Sequence, residues 1–470
     1  MAALGTHHQT REHSLVRPHA TNRGLPGATS PFISDTIPYM TRTHTSSHDH
    51  PLSFTTDILM AQTVGEMSIK MPSIDIELLL PTKVVGLGGQ AGVWVAKDGS
   101  SGQEYAVKQY RKAKGRRAKR ALAERDCLLS CAKHPFIVGL LASFQTSDSI
   151  FLVVDLALGG DMLALTHRVY PNGMPEPTAR YYCACLTLAL SWMHALGWLY
   201  RDLKLENVLI DGNGRAKLCD FGFAKRLREP GERAYTLCGT EEYTSPELAR
   251  GDGQGPPGDW WALGVLLHEM LTGDNPFGNG DATFAVVKVA ILLFAKGGAS
   301  AAEELERSMI ERSALYKEMC GMDALPLSRD GAALVRGLMN AEEEQRLGAG
   351  ERLAELMNHP WLARVEWDRM LRGEARPPWI PSQSGAQLPG LSLEGEEADV
   401  IRADASGEEP EEWKELFANF GATRTTPWRL GESGTGTGAV PRSPRTSRDS
   451  SPSASAPSGS QNSSSSSYFS

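Results

Sequence analysis

Residues 200–207 read Tyr-Arg-Asp-Leu-Lys-Leu-Glu-Asn, and no other stretch of this chain is as informative. Asp202 is a carboxylate that can accept a proton from a hydroxyl, Lys204 can steady a phosphoryl group, and Asn207 can bind Mg²⁺. Asp220 follows eighteen residues after Asp202, in the triplet Asp-Phe-Gly, and offers a second oxygen ligand for the cation. Phosphoryl transfer needs such parts and little covalent help from a protein.

A glycine-rich segment lies upstream, where residues 86–93 read Gly-Leu-Gly-Gly-Gln-Ala-Gly-Val and join two predicted strands. Glycines there let backbone N–H groups approach phosphate oxygens, although an ordinary Gly-rich β-turn explains the segment equally well. Lys108, at the end of the next predicted strand, favours the phosphate site because its ammonium can reach the α- and β-phosphates. Glu124 is the candidate carboxylate that fixes Lys108, and a surface acid is the alternative because Asp126 is close by.

The order of these segments matters more than any one of them. Ser-Pro-Glu at 245–247 ends the region that begins with the Asp-Phe-Gly triplet. Each triplet occurs by chance, but all of them in this order and spacing predict an ATP- and Mg²⁺-dependent phosphotransferase. Short β-rich runs between residues 74 and 156, followed by apolar-periodic helical stretches, predict a small strand-rich lobe and a larger helical lobe.

Further segments carry a family resemblance. They are residues 176–182 (Glu-Pro-Thr-Ala-Arg-Tyr-Tyr), 220–226 (Asp-Phe-Gly-Phe-Ala-Lys-Arg), 236–240 (Thr-Leu-Cys-Gly-Thr), 259–265 (Asp-Trp-Trp-Ala-Leu-Gly-Val), 345–348 (Gln-Arg-Leu-Gly) and 358–361 (Asn-His-Pro-Trp). With them, residues 74–421 resemble the AGC group of Ser/Thr protein kinases, near its cAMP- and cGMP-dependent branch. The resemblance implies an α+β, bilobal kinase fold, with a small antiparallel-sheet N-lobe (74–156), a larger helical C-lobe (157–362) and an AGC-type C-terminal tail (363–421).

The resemblance also implies the roles of individual residues, with ATP and Mg²⁺ as cofactors. Catalytic roles fall on Asp202, Lys204, Lys108 and Glu124, and the metal ligands are Asn207 and Asp220. Thr236 matches the activation phosphosite, with Arg201 and Lys225 as the cations that hold its phosphate. Asp161, Glu206 and Glu269 match carboxylates that receive arginines upstream of the acceptor. The nucleotide-binding residues are Gly86, Leu87, Gly88, Gly89, Gln90, Ala91, Gly92, Val93, Ala106, Lys108 and Asp161.

Other matches are structural, and some positions depart from the family. Glu247 and Arg346 match a buried ion pair, and Asp259 matches an anchor for the catalytic loop. Ala91 replaces the third glycine of the loop, which puts the strength of ATP binding in doubt. The activation segment, which runs from the Asp-Phe-Gly triplet at 220–222 to Ser-Pro-Glu at 245–247, is longer before Thr236 than is usual in the family. An insertion lies between residues 290 and 325.

Both ends of the chain are predicted to be disordered. Residues 1–70 lack a hydrophobic period, and residues 422–470 are Ser-rich and of low complexity. Phe417 and Phe420 match a hydrophobic motif that folds back onto the small lobe, and a plain amphipathic helix is the alternative. Gly421, which cannot be phosphorylated, follows the motif, so constitutive docking is expected.

Charge and composition limit the classes of binding partner that the sequence predicts. The net charge of −8 gives no reason to expect a nucleic-acid partner, and the apolar run at 186–199 is too short to insert into a membrane. Seven cysteines without metal-ligand spacing indicate reduced thiols. The expected partners are protein substrates with basic residues upstream of Ser or Thr, and a separate upstream kinase or regulatory subunit.

The sequence leaves one alternative open for the cellular location of the protein and one for its catalytic activity. We expect the protein in the cytoplasm, with the nucleus as the alternative, because the basic run Arg111–Arg120 fits either a solvated helical face or a localisation or docking patch. A pseudokinase scaffold is the alternative to an active kinase. The lysine and both aspartates that pseudokinases usually lack are present here, at Lys108, Asp202 and Asp220.

Overall fold

One antiparallel sheet forms the small lobe. The computed structural model describes residues 74–87, 91–112, 116–132, 134–278, 283–320, 327–381, 420 and 422–423. The strands of the lobe are β1 (Leu79–Leu87), β2 (Gly92–Asp98), β3 (Glu104–Arg111), β4 (Leu140–Gln145) and β5 (Ser149–Val154), in the spatial order β1-β2-β3-β5-β4. In this sheet Lys108 of β3 lies between Val93 of β2 and Leu152 of β5, so it projects from a central strand.

Helix α1 (Arg116–Ser130) packs against this sheet. Its buried positions are Ala121, Glu124, Cys127 and Leu128, which recur at the three- and four-residue spacing of one helical face. Three of them are small or apolar and pack in the core. The exception, Glu124, is a buried acid that needs a partner, because an unpaired buried charge is costly.

The large lobe is helical. Its helices are α2 (Met162–Ala164), α3 (Glu176–Ala195), α4 (Pro246–Arg250), α5 (Pro257–Thr272), α6 (Phe284–Cys320), α7 (Arg329–Leu338), α8 (Leu353–Met357) and α9 (Trp367–Leu371), with a π-helical turn at Leu165–Val169. Single 3₁₀ turns span Leu205–Asn207, Glu241–Tyr243, Glu343–Gln345, Gly350–Arg352 and Pro360–Leu362. Helices α3 and α5 are apolar and buried around most of their circumference, which places them at the centre of the lobe.

Two short ribbons position the loops between the lobes. Strand β6 (Trp198–Leu199) pairs with β9 (Lys225–Arg226), and β7 (Val208–Ile210) pairs with β8 (Ala216–Leu218). Residues 200–207 leave β6 and enter β7, so the ribbons hold both ends of this stretch. The predicted α+β architecture, with a small antiparallel sheet followed by a larger helical lobe, is confirmed.

Most of the predicted insertion lies in helix α6. The helix is bent at Gly298, whose φ of 55° and ψ of −132° are not helical. Residues Phe284–Ala314 have a mean hydropathy of 1.7 in their most apolar window, and 11 % of that window is buried. In the described part of the chain this segment alone is long and apolar enough to cross a membrane. Helices of soluble proteins also meet these two criteria, which therefore assign no membrane span.

The end of the kinase tail corrects one predicted boundary. Ala422–Thr423 form β10, which pairs in parallel with Phe144 and Gln145 of β4. These residues were predicted to begin the disordered tail, and that prediction was wrong because an edge strand offers unpaired backbone groups to a neighbouring segment. The N-terminal tail 1–70, residues 424–470 and Phe417 lie outside the described residues.

Candidate active site

Lys108 joins Glu124, the carboxylate predicted to fix it, and Asp220, which was predicted as a metal ligand. Its Nζ donates to Glu124 Oε1 at 3.0 Å and to Oε2 at 3.1 Å, and also to Asp220 Oδ1 at 2.8 Å. Glu124 is only 3 % exposed, so the alternative that it is a surface acid is wrong. A strand of the small lobe, helix α1 and the Asp-Phe-Gly triplet thus meet at one ammonium group.

The charges of this cluster depend on one another. Burial alone would lower the pKa of Lys108, but the negative charge of Glu124 raises it well above its ordinary value. Burial raises the pKa of Glu124, and the positive charge of Lys108 opposes that rise. Burial would also raise the pKa of Asp220, but the Lys108 charge holds it below its ordinary value.

Tyr110 is a member of this cluster that sequence analysis missed. Its hydroxyl donates to Glu124 Oε2, and the side chain is buried. The Lys108 ammonium lies 5.3 Å from the centre of the Tyr110 ring. In the sequence Tyr110 is simply one more residue of a strand, so its role can be recognised only when the position of α1 is known.

Asp202 and Asn207 face each other across the catalytic loop. The amide Nδ2 of Asn207 donates to Asp202 Oδ2 and to the Asp202 carbonyl oxygen, both at 2.8 Å. Thr240 Oγ1 lies 3.4 Å from the other carboxylate oxygen, Oδ1. Asp202 is 6 % exposed, and burial raises its pKa to about 6, against the charge of Lys204 and the hydrogen bond from Asn207. A carboxylate with such a pKa is ionised at neutral pH and is a better proton acceptor than an ordinary aspartate.

Asp259 anchors the backbone of this loop from the first turn of α5. Its Oδ2 accepts from the Tyr200 N–H at 3.0 Å, and its Oδ1 accepts from the Arg201 N–H at 2.9 Å. His194 Nε2 lies 2.8 Å from Asp259 Oδ2. Arg201 has a φ of 69°, a conformation that side chains rarely adopt and that the hydrogen bonds to Asp259 hold in place.

The groups around Lys108 fit a metal-bound nucleotide. In the β1–β2 register Gly86 lies opposite Val93 and Leu87 opposite Gly92, so the glycine-rich segment connects two paired strands. Among the described residues, no atom lies within 4 Å of a Cβ added at Gly86. Gly88, Gly89 and Gln90 lie outside the described residues.

The metal ligands proposed from the sequence are hard oxygen donors, as Mg²⁺ prefers. Because Asn207 Nδ2 bonds Asp202, the amide oxygen of Asn207 is left for a cation. Asp220 has a φ of 55°, in the left-handed region that residues other than glycine rarely adopt. The described residues hold no cluster of three or more His, Cys, Asp or Glu with metal-binding geometry.

The activation segment holds Thr236 on the surface. Arg201 Nε donates to the Phe223 carbonyl oxygen at 2.8 Å, which brings its guanidinium to this segment. Lys225, the second cation predicted to hold the phosphate, instead pairs with Glu232 at 2.9 Å. Gly239 has a φ of 88°, and a Cβ there would lie 2.5 Å from the Arg201 carbonyl oxygen, so only glycine lets the segment pass so close to the catalytic loop.

Arg120 is a second residue that sequence analysis missed. It was interpreted as part of a solvated basic face, but its guanidinium lies 4.2 Å from the centre of the Phe223 ring. Burial raises the pKa of the Cys238 thiol, and the charges of Arg201 and Arg120 both oppose that rise, so Arg120 lies near the activation segment. Arg120 therefore brings a cation from α1 to the activation segment, at Phe223.

The geometry agrees with comparison to known proteins. Residues 80–362 match the family model described as Protein kinase domain. The chain belongs to the protein kinase family. Serine/threonine-protein kinase Sgk2 of Rattus norvegicus is 35 % identical over 308 residues, which are 64 % of this chain and 76 % of that relative.

Further relatives place this kinase in the AGC group. Ribosomal protein S6 kinase alpha-2 of Mus musculus is 36 % identical over 307 residues, 64 % of this chain and 38 % of the relative. The cAMP-dependent protein kinase catalytic subunit of Dictyostelium discoideum is 32 % identical over 344 residues, 72 % of this chain and 48 % of the relative. The resemblance stated from the sequence is confirmed, and the chain is a protein serine/threonine kinase.

Two of the three predicted substrate carboxylates of the kinase lie near each other. Glu269 is 7 % exposed and accepts hydrogen bonds from the Tyr243 hydroxyl and from Asn275 Nδ2. Burial raises the pKa of Glu269, and the charge of the exposed Glu206 adds to that rise. Asp161 caps α2, where its Oδ1 accepts from the Ala164 N–H at 2.7 Å.

The kinase also contains the predicted ion pair and the docked end of the tail. Arg346 is fully buried and binds Glu247 through two parallel hydrogen bonds of 2.8 and 2.9 Å. Phe420 is 1 % exposed, and the Arg125 guanidinium lies 5.0 Å from its ring centre. Ser143 Oγ donates to the Phe420 carbonyl oxygen at 2.7 Å, which fixes the tail beside β4.

Proposed function

We propose that this kinase transfers the γ-phosphoryl group of Mg-ATP to Ser and Thr hydroxyls that follow basic residues. The observation that carries the proposal is the Asp202–Asn207 pair. Asn207 Nδ2 donates to Asp202 Oδ2 at 2.8 Å, whereas Oδ1 receives a longer hydrogen bond of 3.4 Å from the Thr240 hydroxyl, which an acceptor hydroxyl can replace. Lys204 is on the same loop, and its charge acts on Asp202, so it is close enough to stabilise charge on the transferred group.

The nucleotide and its metal supply the electrophilic phosphorus and neutralise the charge that develops during transfer. The protein's part is to hold them. Asn207 and Asp220 would bind Mg²⁺ through their side-chain oxygens, and Lys108 would bind the α- and β-phosphates while Glu124 keeps its ammonium in place.

The preference for basic substrates follows from charge. Glu206 is exposed and negatively charged near the buried Glu269, so an arginine side chain that reaches Glu206 gains a charge-assisted hydrogen bond. Asp161 is the third carboxylate assigned to this role. Glu206→Gln should keep the shape of the site and weaken selection for upstream arginine.

A peptide array with purified kinase and Mg-ATP tests the proposal. We expect phosphate on Ser and Thr in peptides with upstream arginine, and a weaker arginine preference for Glu206→Gln. Asp202→Asn is the control for contaminating kinases, since it removes the proton acceptor and should lower transfer by about 10²–10⁴-fold. Equal transfer by wild type and Asp202→Asn, or a preference for acidic peptides, would contradict the proposal.

Control of the activity is proposed to act through Thr236. A phosphate there would bind Arg201, with Arg120 close by, and raise kcat/KM. We propose a separate upstream kinase for this step, with a regulatory subunit as a further partner, and a cytoplasmic location with the nucleus as the alternative. Mass spectrometry of active protein should find Thr236 phosphorylated, and phosphatase treatment should lower kcat/KM.

A further inference from the structure

The activation segment contains a short stretch, Arg228–Ala234, that we call the anchor segment. It lies between the Asp-Phe-Gly triplet and Thr236. Glu232 Oε2 accepts from the Arg228 N–H at 2.6 Å, and Glu232 Oε1 lies 2.9 Å from Lys225 Nζ. Lys225 Nζ also donates to the Arg233 carbonyl oxygen at 3.0 Å. The anchor segment therefore places an internal carboxylate on the lysine that was expected to hold a phosphate.

Arg233 ties the anchor segment to the body of the large lobe. Its two terminal nitrogens bind the carboxylate of Glu343 at 3.1 and 2.8 Å, which is the fork-to-fork geometry of strong Arg–carboxylate pairs. Arg233 Nε donates to the Asp252 carbonyl oxygen at 3.0 Å, and Nη2 donates to the Gly253 carbonyl oxygen at 2.6 Å. One side chain thus bonds the loop after α4 and the 3₁₀ turn Glu343–Gln345.

The backbone adds to this attachment. Ala234 and Gln254 exchange both of their N–H···O bonds at 2.9 Å, which forms an isolated antiparallel bridge next to Arg233. Ala234 and Gln254 are buried, so these bonds are shielded from water. Tyr235, Thr236 and Leu237, which follow directly, are exposed. The segment is therefore fixed up to the residue before Tyr235 by contacts in which Thr236 takes no part.

We propose that Glu232 and Arg233 are positioning residues, which hold the activation segment in an ordered form before Thr236 is phosphorylated. Glu232 takes the place of a phosphate at Lys225, and Arg233 fixes the segment to Glu343. The proposal rests on the proposed function for its activity readout. It predicts a kinase with substantial basal activity, because the order that a phosphate provides through new cationic contacts is already present in part.

The quantity to measure is the activation ratio, kcat/KM of the Thr236-phosphorylated protein divided by that of the phosphatase-treated protein. Intact-mass spectrometry verifies each form. In Arg233→Ala the unphosphorylated segment loses its attachment, whereas the phosphorylated segment keeps its contacts with Arg201. We expect the activation ratio of Arg233→Ala to exceed that of wild type by about tenfold, within the usual range for coupled sites.

Matched variants separate this role from general damage. Arg250→Ala removes an exposed arginine that pairs with the Asp252 side chain at 2.9 Å, and it should leave the activation ratio unchanged. Glu343→Gln keeps the shape of the site and should raise the ratio in the same direction as Arg233→Ala. Glu232→Gln should raise it as well, because Lys225 loses its carboxylate. A purely structural effect would lower both forms of the protein equally and leave the ratio unchanged.

Hydrogen exchange gives a readout that does not need catalysis. In phosphatase-treated wild type, the Ala234 and Gln254 amides should be protected, and Arg233→Ala should increase their exchange by about tenfold or more. Unchanged exchange together with an unchanged activation ratio would overturn the proposal. If no form of the protein transfers phosphate but the exchange difference is found, the proposed function fails and the ordering role of Arg233 stands.

Discussion

At the scale of single residues, the buried carboxylate of Asp202 sets the pH range in which the kinase can work. Burial raises its pKa to about 6, so the carboxylate takes up a proton at a higher pH than an ordinary aspartate does. Since the proton acceptor must be ionised, kcat/KM should fall about tenfold for each pH unit below 6. A pH profile between 5 and 8 checks this, and an acid limb near pH 4 would show that Asp202 is not the group that titrates.

Tyr110 gives a prediction at the same scale. In Tyr110→Phe the Glu124 carboxylate loses its hydroxyl donor, which should destabilise the Lys108–Glu124 arrangement by about 1 kcal/mol. The KM for ATP should rise several-fold while the melting temperature changes little. Tyr105→Phe, in the same strand but in the separate cluster at the sheet's other side, is the matched control and should leave this KM unchanged. Equal KM values for wild type and Tyr110→Phe would make the hydroxyl irrelevant.

Residues that lie in local sequence motifs could be predicted, whereas residues that act through tertiary contacts could not. Lys108, Asp202 and Asp220 lie in local motifs, so their chemistry can be derived from the sequence. Tyr110 and Arg120 act through contacts that exist only once α1 has packed on the sheet, and neither has a motif of its own. Lys225 was expected to be available for a phosphate, but it pairs with Glu232, which belongs to none of the motifs in the sequence.

At the scale of elements, helix α1 connects the active site to the tail. Glu124 faces Lys108, and the next residue, Arg125, packs over Phe420. Phe420→Ala should therefore lower the melting temperature and kcat/KM together, with a loss of about 3–5 kcal/mol of stability, as for other buried phenylalanines. Ile380→Ala, a truncation of a tail side chain that is half exposed, is the control and should change neither. Unchanged values for Phe420→Ala would mean that the docked tail contributes nothing.

Some elements follow from pattern and others do not. The strands of the small lobe and the buried helices α3 and α5 have the alternation or periodicity that burial on one or both sides requires. Strand β10 has only two residues and no pattern, because it exists through pairing with the edge of β4. The insertion predicted between residues 290 and 325 stays a prediction, and neither helix α6 nor its bend at Gly298 was expected from the sequence.

At the scale of the whole molecule, two buried histidines make the fold sensitive to acid. Burial lowers the pKa of His134 to about 3 and that of His268 to about 4. The unfolded chain takes up protons at these side chains near pH 6.5, before the folded chain does, so stability present above that pH is lost as the pH falls. Each histidine should lower the free energy of unfolding by about 1.4 kcal/mol per pH unit below 6.5.

The contribution of one histidine can be isolated. Asp202 acts in the opposite sense, because its raised pKa lets the folded state bind a proton first, so total stability mixes the two effects. His134→Asn keeps a hydrogen-bond acceptor for the Phe136 N–H and removes the titration. Its melting temperature should fall less between pH 7 and pH 5 than that of wild type. Parallel curves for the two proteins would rule out His134 as an acid-sensitive group.

The contact between Arg125 and Phe420 links docking of the tail to binding of the nucleotide. Two binding events that favour the same position of α1 must favour each other to the same degree. If Mg-ATP holds Glu124 in place through Lys108, it also holds the tail on the small lobe. Removal of the tail then lowers the affinity for Mg-ATP by the same factor by which Mg-ATP strengthens docking of the tail. Phe420 and β10 would then be held on the small lobe more tightly with the nucleotide bound than without it, and proteases would cut there more slowly.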